Sequence, residues 1–81
     1  MRKEPTMAIG DRIARQRKAL GLTQEALAAK SGVPRSYIAP LESHSKDNPT
    51  AQTLRGLARA LGVSADYLIG MYSEEEQSTA V

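Results

Sequence analysis

The segment between Thr50 and Gly62 carries the clearest folding signal in this chain. Four of its apolar residues have the i, i+3, i+4 and i+7 spacing of one helix face: Leu54, Leu57, Ala58 and Leu61. Thr50 can cap the first turn of such a helix, and Gly62 can end it. Because an amphipathic helix must bury its apolar face, the rest of the chain has to supply elements that cover this one.

Four further segments have an apolar helical pattern that ends at a glycine or a polar loop, and Thr23, Pro34 or Ser64 marks the start of three of them. They cover residues 7–20, 24–30 and 34–43 and a short stretch between Ser64 and Gly70. Because no segment alternates with period two, we predict a compact all-α fold of five helices. We assign residues 7–72 to this domain, residues 1–6 to a flexible arm and residues 73–81 to an acidic disordered tail.

Composition argues against several classes of protein. The chain has no cysteine and a single histidine, His44, so we expect no disulfide, no metal site and no cofactor. It has no apolar run of the roughly 20 residues that span a membrane, and no signal-peptide core, so we expect a cytoplasmic protein without membrane contact. We also find no activated nucleophile, paired carboxylates or phosphate-binding glycine loop, and therefore expect no enzyme.

Charge is distributed unevenly along the chain. Without the acidic run 74–76, the remaining 6 acidic residues face 11 lysines and arginines. Four of those cations lie close together in the first predicted helix: Arg12, Arg15, Arg17 and Lys18. This excess suggests a polyanionic partner, whereas the alternative is a solvated helix face.

Residues 24–41 have the residue types that a helix-turn-helix needs. Ala28 lets two helices approach closely, Gly32 allows a sharp turn, and Ile38 and Leu41 can anchor the second helix. The opposite face of that second helix can enter a DNA major groove. It carries Arg35, Ser36 and Ala39.

Several separated stretches of the chain together resemble the Xre/Cro phage-repressor helix-turn-helix family. They are LTQEALA (22–28), SGV (31–33), RSYI (35–38), LE (41–42), ALGVS (60–64) and DYL (66–68). Restriction-modification controller proteins in this family are similar in length. The resemblance covers about residues 7–70. It implies a lambda-repressor-like domain and a transcriptional regulator, either a repressor or an autoregulator. Such a protein binds a palindromic operator in double-stranded DNA as a homodimer.

The resemblance also implies roles for individual residues. Arg35, Ser36 and Ala39 would face bases from the recognition helix. Thr23 and Gln24 would lie near a phosphate at the start of the second helix, and Gln24 would also brace the recognition helix. Tyr37 and Lys46 would contact phosphates, and Arg17 would form a salt bridge with Glu42 between helices one and three.

Each of these roles has a plainer alternative. Arg35 could pair with Glu25 instead of reading guanine, and Ser36 could simply be solvated. Gln24 could be an ordinary first-turn residue, Tyr37 could be half-buried, and Lys46 and His44 could be exposed loop residues.

Pro40 departs from the pattern of the resemblance. It lies inside the predicted recognition helix, where a proline lacks the N–H for the Ser36 carbonyl and its ring crowds the preceding turn. We therefore expect helix three to be kinked or tightened near Ala39–Leu41.

The end of the domain suggests an interface. Leu68, Ile69, Met71 and Tyr72 exceed what a small core needs there, so we expect them to form a dimer surface. The alternative function is that of an antitoxin or a protein-interaction adaptor. Such a protein would use this surface and the acidic tail to bind a toxin or another regulator.

Overall fold

The computed structural model describes residues 8–46 and 48–70, which form five helices and no strand. The helices are α1 (Ile9–Ala19), α2 (Gln24–Ser31), α3 (Arg35–Glu42), α4 (Ala51–Leu61) and α5 (Ala65–Ile69). The predicted all-α class is confirmed. The arm at 1–6 and the tail at 73–81 lie outside the described residues and stay predictions.

Three helices begin at side chains that the sequence marked as caps. The side-chain oxygens of Thr23, Thr50 and Ser64 accept backbone N–H bonds from the residues three positions later, at 3.0, 3.1 and 3.0 Å. Each cap satisfies a donor that would otherwise lack a partner in the first helical turn. Local chemistry therefore fixes where α2, α4 and α5 start.

The core forms around α4, which packs against α1, α2 and α5, while α3 lies against α1 and α2. The four apolar residues that predicted α4 are all buried. The remaining members of the core are Ile13, Leu27, Val33, Ile38, Leu41, Ala60 and Leu68. No described helix has both the length and the apolar character needed to cross a membrane.

The short helix α5 corrects one prediction. Leu68 is fully buried in the core of a single chain, so its assignment to a dimer surface is wrong. Ile69, one residue later, is 50% exposed, because consecutive helical residues point about 100° apart. Met71 and Tyr72 lie outside the described residues.

Pro40 does not interrupt α3. The helix continues as an α-helix from Arg35 to Glu42, so the predicted tightening is wrong and the predicted kink stays a prediction. The proline removes one intrahelical bond, while the buried side chains of Ile38 and Leu41 hold the helix on both sides of it.

The end of α3 is closed by backbone bonds. The carbonyl of Pro40 accepts N–H bonds from Ser45 and Lys46 at 2.9 and 3.1 Å, and the His44 N–H bonds the Leu41 carbonyl at 3.3 Å. This is a Schellman motif, which requires a left-handed residue just beyond the helix. His44 takes that position, with φ 71°.

Candidate nucleic-acid interface

The turn between α2 and α3 depends on Gly32. This glycine has φ 76°, a conformation that L side chains rarely adopt, and its N–H bonds the Ala28 carbonyl at 3.0 Å. The Ser31 hydroxyl accepts the Val33 N–H at 3.1 Å. Two helices and this tight turn make the helix-turn-helix that the sequence predicted.

The outward face of α3 carries the residues expected to read bases. Arg35 and Ser36 are exposed in the first turn, and Ala39 is partly exposed one turn later. Ile38 and Leu41, on the opposite side, are fully buried. The base-reading roles stay predictions, but the side chains assigned to them lie on one accessible face.

Arg35 already has an ion partner in this chain. Its Nε lies 3.1 Å from Oε2 of Glu25, and the two side chains are 55% and 70% exposed. The alternative that the sequence left open, an internal Arg35–Glu25 pair, therefore exists. Because exposed pairs contribute between about 0 and 1 kcal/mol, the guanidinium can exchange this partner for another at little cost.

Glu42 anchors the far end of α3 through a charge network that is largely shielded from solvent. Its carboxylate accepts bonds from Arg17 Nε and Nη2 at 2.7 and 2.8 Å, and from Gln24 Nε2 at 3.0 Å. The side chains of Arg17 and Glu42 are 11% and 8% exposed. Arg17 Nη1 also donates to the Leu22 carbonyl at 2.8 Å. This is the Arg17–Glu42 bridge that the resemblance implied.

The electrostatics of the network favour the ionised pair. Burial alone would raise the pKa of the Glu42 carboxyl, but the bonds from Arg17 and Gln24 outweigh it and hold that pKa below its usual value. The hydrogen bond to Glu42 likewise raises the pKa of Arg17 against the effect of burial. The C-terminal turn of α3 is thus tied to α1 and to the first turn of α2.

Gln24 and Thr23 lie at the N-terminus of α2, where the resemblance placed a phosphate. The amide of Gln24 donates to Glu42 and therefore braces α3, as expected. Thr23 is exposed while its hydroxyl oxygen caps the helix. Their phosphate contacts stay predictions.

Tyr37 and Lys46, the other two residues expected near phosphates, lie together. The Lys46 ammonium lies 5.6 Å from the centroid of the Tyr37 ring, within cation–π range. The ring is half-buried and the lysine is exposed. A cation held beside the recognition helix suits a phosphate contact, which stays a prediction.

The basic cluster in α1 does not form a single surface. Arg17 lies in the buried pair with Glu42, and the Arg12 guanidinium lies 5.6 Å from the Tyr67 ring centroid. Lys18 is exposed. Arg12 and Arg17 therefore already have contacts within the fold, so the charge density of α1 is weaker support for a polyanionic partner than the sequence suggested.

Two features of the surface were missed by the sequence-based reasoning. His44 is exposed, as expected, but its Nε2 lies 2.8 Å from Asp11 Oδ1 and links the end of α3 to the first turn of α1. This hydrogen bond holds the pKa of the Asp11 carboxyl below its usual value. Arg55 and Arg59 border a cleft of about 400 Å³ between α4 and the α2–α3 turn. Their i, i+4 spacing was the available signal for this second pair of cations.

Comparison with known proteins agrees with this geometry. The family model described as Helix-turn-helix matches residues 13–68. The chain is 48% identical over 56 residues to an uncharacterized HTH-type transcriptional regulator, y4dJ, of Sinorhizobium fredii, covering 69% of this chain and 71% of that protein. It is 39% identical over 74 residues to the immunity repressor protein of Bacillus phage phi105, covering 89% of this chain and 51% of the repressor.

A solved structure of a repressor has the same fold. The P22 c2 repressor protein in complex with synthetic operator 9T superposes with a TM-score of 0.74 at 35% identity, covering 80% of this chain and 97% of that one. The chain spans about half the length of the phi105 repressor but nearly all of the P22 c2 chain. It belongs to the helix-turn-helix family, in the Xre/Cro phage-repressor-like group that its sequence resembles.

Proposed function

We propose that this chain is a sequence-specific DNA-binding transcriptional regulator, acting as a repressor or autoregulator with α3 in the major groove. The observation that carries the proposal is the orientation of α3. Arg35 and Ser36 project from its exposed first turn, while the buried Glu42 network fixes its last turn. The phi105 immunity repressor and the operator-bound P22 c2 repressor support this function for a chain with the same fold.

Phosphate contacts on both sides of α3 position this helix on the DNA. Thr23 and Gln24 approach one phosphate at the N-terminus of α2, where free N–H groups favour an anion. Tyr37 and Lys46 approach another. Arg35 then exchanges Glu25 for O6 and N7 of guanine, an exchange of one exposed charge-assisted contact for a bidentate one.

The regulator binds a palindrome as a homodimer in the cytoplasm. One α3 reaches only a few base pairs, so two copies are needed on half-sites about 34–36 Å apart. Ile69, exposed at the end of α5, contributes apolar surface to this dimer. Met71 and Tyr72, which follow it in the sequence, lie outside the described residues, and their part in the dimer stays a prediction.

Selection of bound sequences from random DNA tests the proposal. We expect enrichment of a palindrome whose half-sites contain a guanine that depends on Arg35. Arg35→Ala should lower discrimination at that base by about 1–3 kcal/mol, whereas Lys46→Ala should weaken all sequences alike. If Arg35→Ala weakens operator and random DNA equally, the base-reading role is wrong.

A protein-interaction role, as antitoxin or adaptor, is the alternative. The exposed Ile69 favours it as much as it favours a dimer. Two results together would favour this alternative over the regulator: no DNA sequence is enriched, and the chain forms a stable complex with a toxin-like protein.

A further inference from the structure

Pro40 lies on the outward face of α3. Because the helix is unbroken, residues four apart share a face, and Pro40 follows Ser36 by four residues. Ser43, three residues later, continues the same face and is exposed. Pro40 is itself partly exposed, on the side away from the buried Ile38 and Leu41.

The second turn of this face is apolar. Ala39 presents a methyl group and Pro40 a hydrocarbon ring, and neither side chain has a donor or an acceptor. The Ser43 hydroxyl, which follows them, bonds the Pro40 carbonyl at 3.3 Å and the Ser45 hydroxyl at 3.1 Å. The face is therefore polar at Arg35 and Ser36 and apolar one turn later.

The edges of the bases in the major groove carry one apolar group, the C5-methyl of thymine. An apolar side chain against any other edge leaves base donors or acceptors without partners, which is costly. We propose that Pro40, together with Ala39, determines operator specificity by contacting a thymine methyl group; this rests on the proposed function. Neither proline nor alanine loses side-chain conformational freedom on such a contact.

The helix geometry gives the place of this thymine. Pro40 lies five residues after Arg35, which is about 7.5 Å along the helix axis. At about 3.4 Å per base along one strand, the thymine lies about two base-pair steps from the guanine that Arg35 reads. The selected operator should therefore contain a thymine at this distance in each half-site.

Removing or adding a single methyl group in the DNA tests the contact with the unaltered protein. Deoxyuridine in place of this thymine removes only the methyl group, and we expect affinity to fall about fourfold for each half-site. Placing 5-methylcytosine rather than cytosine there restores the methyl group and should strengthen binding by a similar factor. Measurements by fluorescence anisotropy at fixed salt give both ratios.

A substitution in the protein provides the complementary test. Pro40→Ser removes the apolar ring and leaves only the Ala39 methyl group, so the preference of the variant for thymine over deoxyuridine should be clearly smaller than the roughly fourfold expected of the unaltered chain. Pro49→Ser, the same change outside the recognition helix, should keep the preference for thymine. Circular dichroism of both variants verifies that they remain helical.

The outcomes separate the two proposals. An enriched operator that the unaltered chain binds equally with thymine or deoxyuridine overturns the role of Pro40 and leaves the DNA-binding function intact. A thymine preference that is undiminished in Pro40→Ser also overturns it. If no sequence is enriched at all, the proposed function fails and the role of Pro40 fails with it.

Discussion

The chain contains two Arg–Glu pairs of the same chemistry in opposite surroundings, and they should respond very differently to truncation. The side chains of Arg17 and Glu42 are 11% and 8% exposed, whereas those of Arg35 and Glu25 are 55% and 70% exposed. Glu42→Ala removes three hydrogen bonds and leaves a buried guanidinium with the Leu22 carbonyl. Removing one partner of a buried pair costs about 3–5 kcal/mol, whereas an exposed pair contributes less than about 1 kcal/mol.

We expect Glu42→Ala to lower the free energy of unfolding by about 3 kcal/mol, a large share of the 5 kcal/mol or so available to a domain of this size. Urea and thermal unfolding followed by circular dichroism measure this loss. With an m-value of about 1 kcal/mol/M, the urea midpoint should fall by about 3 M, and Tm should fall by about 12 °C or more. Glu25→Ala is the matched control and should change Tm by only a few degrees.

A double-mutant cycle separates the pair from its individual residues. The effects of Arg17→Ala and Glu42→Ala should be less than additive by at least about 1 kcal/mol, because either change alone breaks the same contact. Equal Tm shifts for Glu42→Ala and Glu25→Ala, or strictly additive effects in the cycle, would refute this reasoning.

Three further predictions concern the packing around α3. The pKa of Glu42 is held below its usual value of 4.5, so the ionised carboxylate should stabilise the fold fully above pH 4.5. This stabilisation should be lost as the pH falls through the lowered pKa. A Tm difference between the unaltered chain and Glu42→Ala that stays constant across this acid range would contradict the prediction. Gly10→Ala places a Cβ against the backbone carbonyl of Leu41 and should destabilise the chain by about 1–3 kcal/mol, so an unchanged Tm would show that α1 and α3 do not pack closely there. His44 is a non-glycine residue at φ 71°, a backbone strain of about 1 kcal/mol that glycine would avoid. In an Asp11→Ala background, where the contact between His44 and Asp11 is already lost, His44→Gly should therefore raise Tm by about 4 °C or more. A fall in Tm there would exclude backbone strain at this position.

Features written in short stretches of sequence were predictable. The caps Thr23, Thr50 and Ser64 each act on a backbone N–H three residues away, so neighbouring residues suffice to place the helix starts. The outward position of Arg35 and Ser36 follows from helical spacing, once Ile38 and Leu41 are taken as buried. The resemblance supplied the Arg17–Glu42 bridge.

Features that depend on how helices dock could not be predicted from spacing. Leu68 and Ile69 are adjacent apolar residues in a helix of five, too short for periodicity to show which one faces the core. His44 and Asp11 are separated by 33 positions and meet only because α1 lies against α3. The continuation of α3 through Pro40 likewise depends on tertiary packing, because burial of Ile38 and Leu41 outweighs the loss of one backbone hydrogen bond.

The buried position of the Arg17–Glu42 bridge has a consequence for how the chain would leave its DNA. Dissolved ions screen charges at the surface strongly and charges inside the protein weakly. If Lys46 and Arg35 contact DNA as proposed, rising ionic strength should weaken those exposed contacts, while the Arg17–Glu42 bridge still holds α3 in place. The released protein stays folded and ready, and dilution of the salt alone should let it bind again without a refolding step.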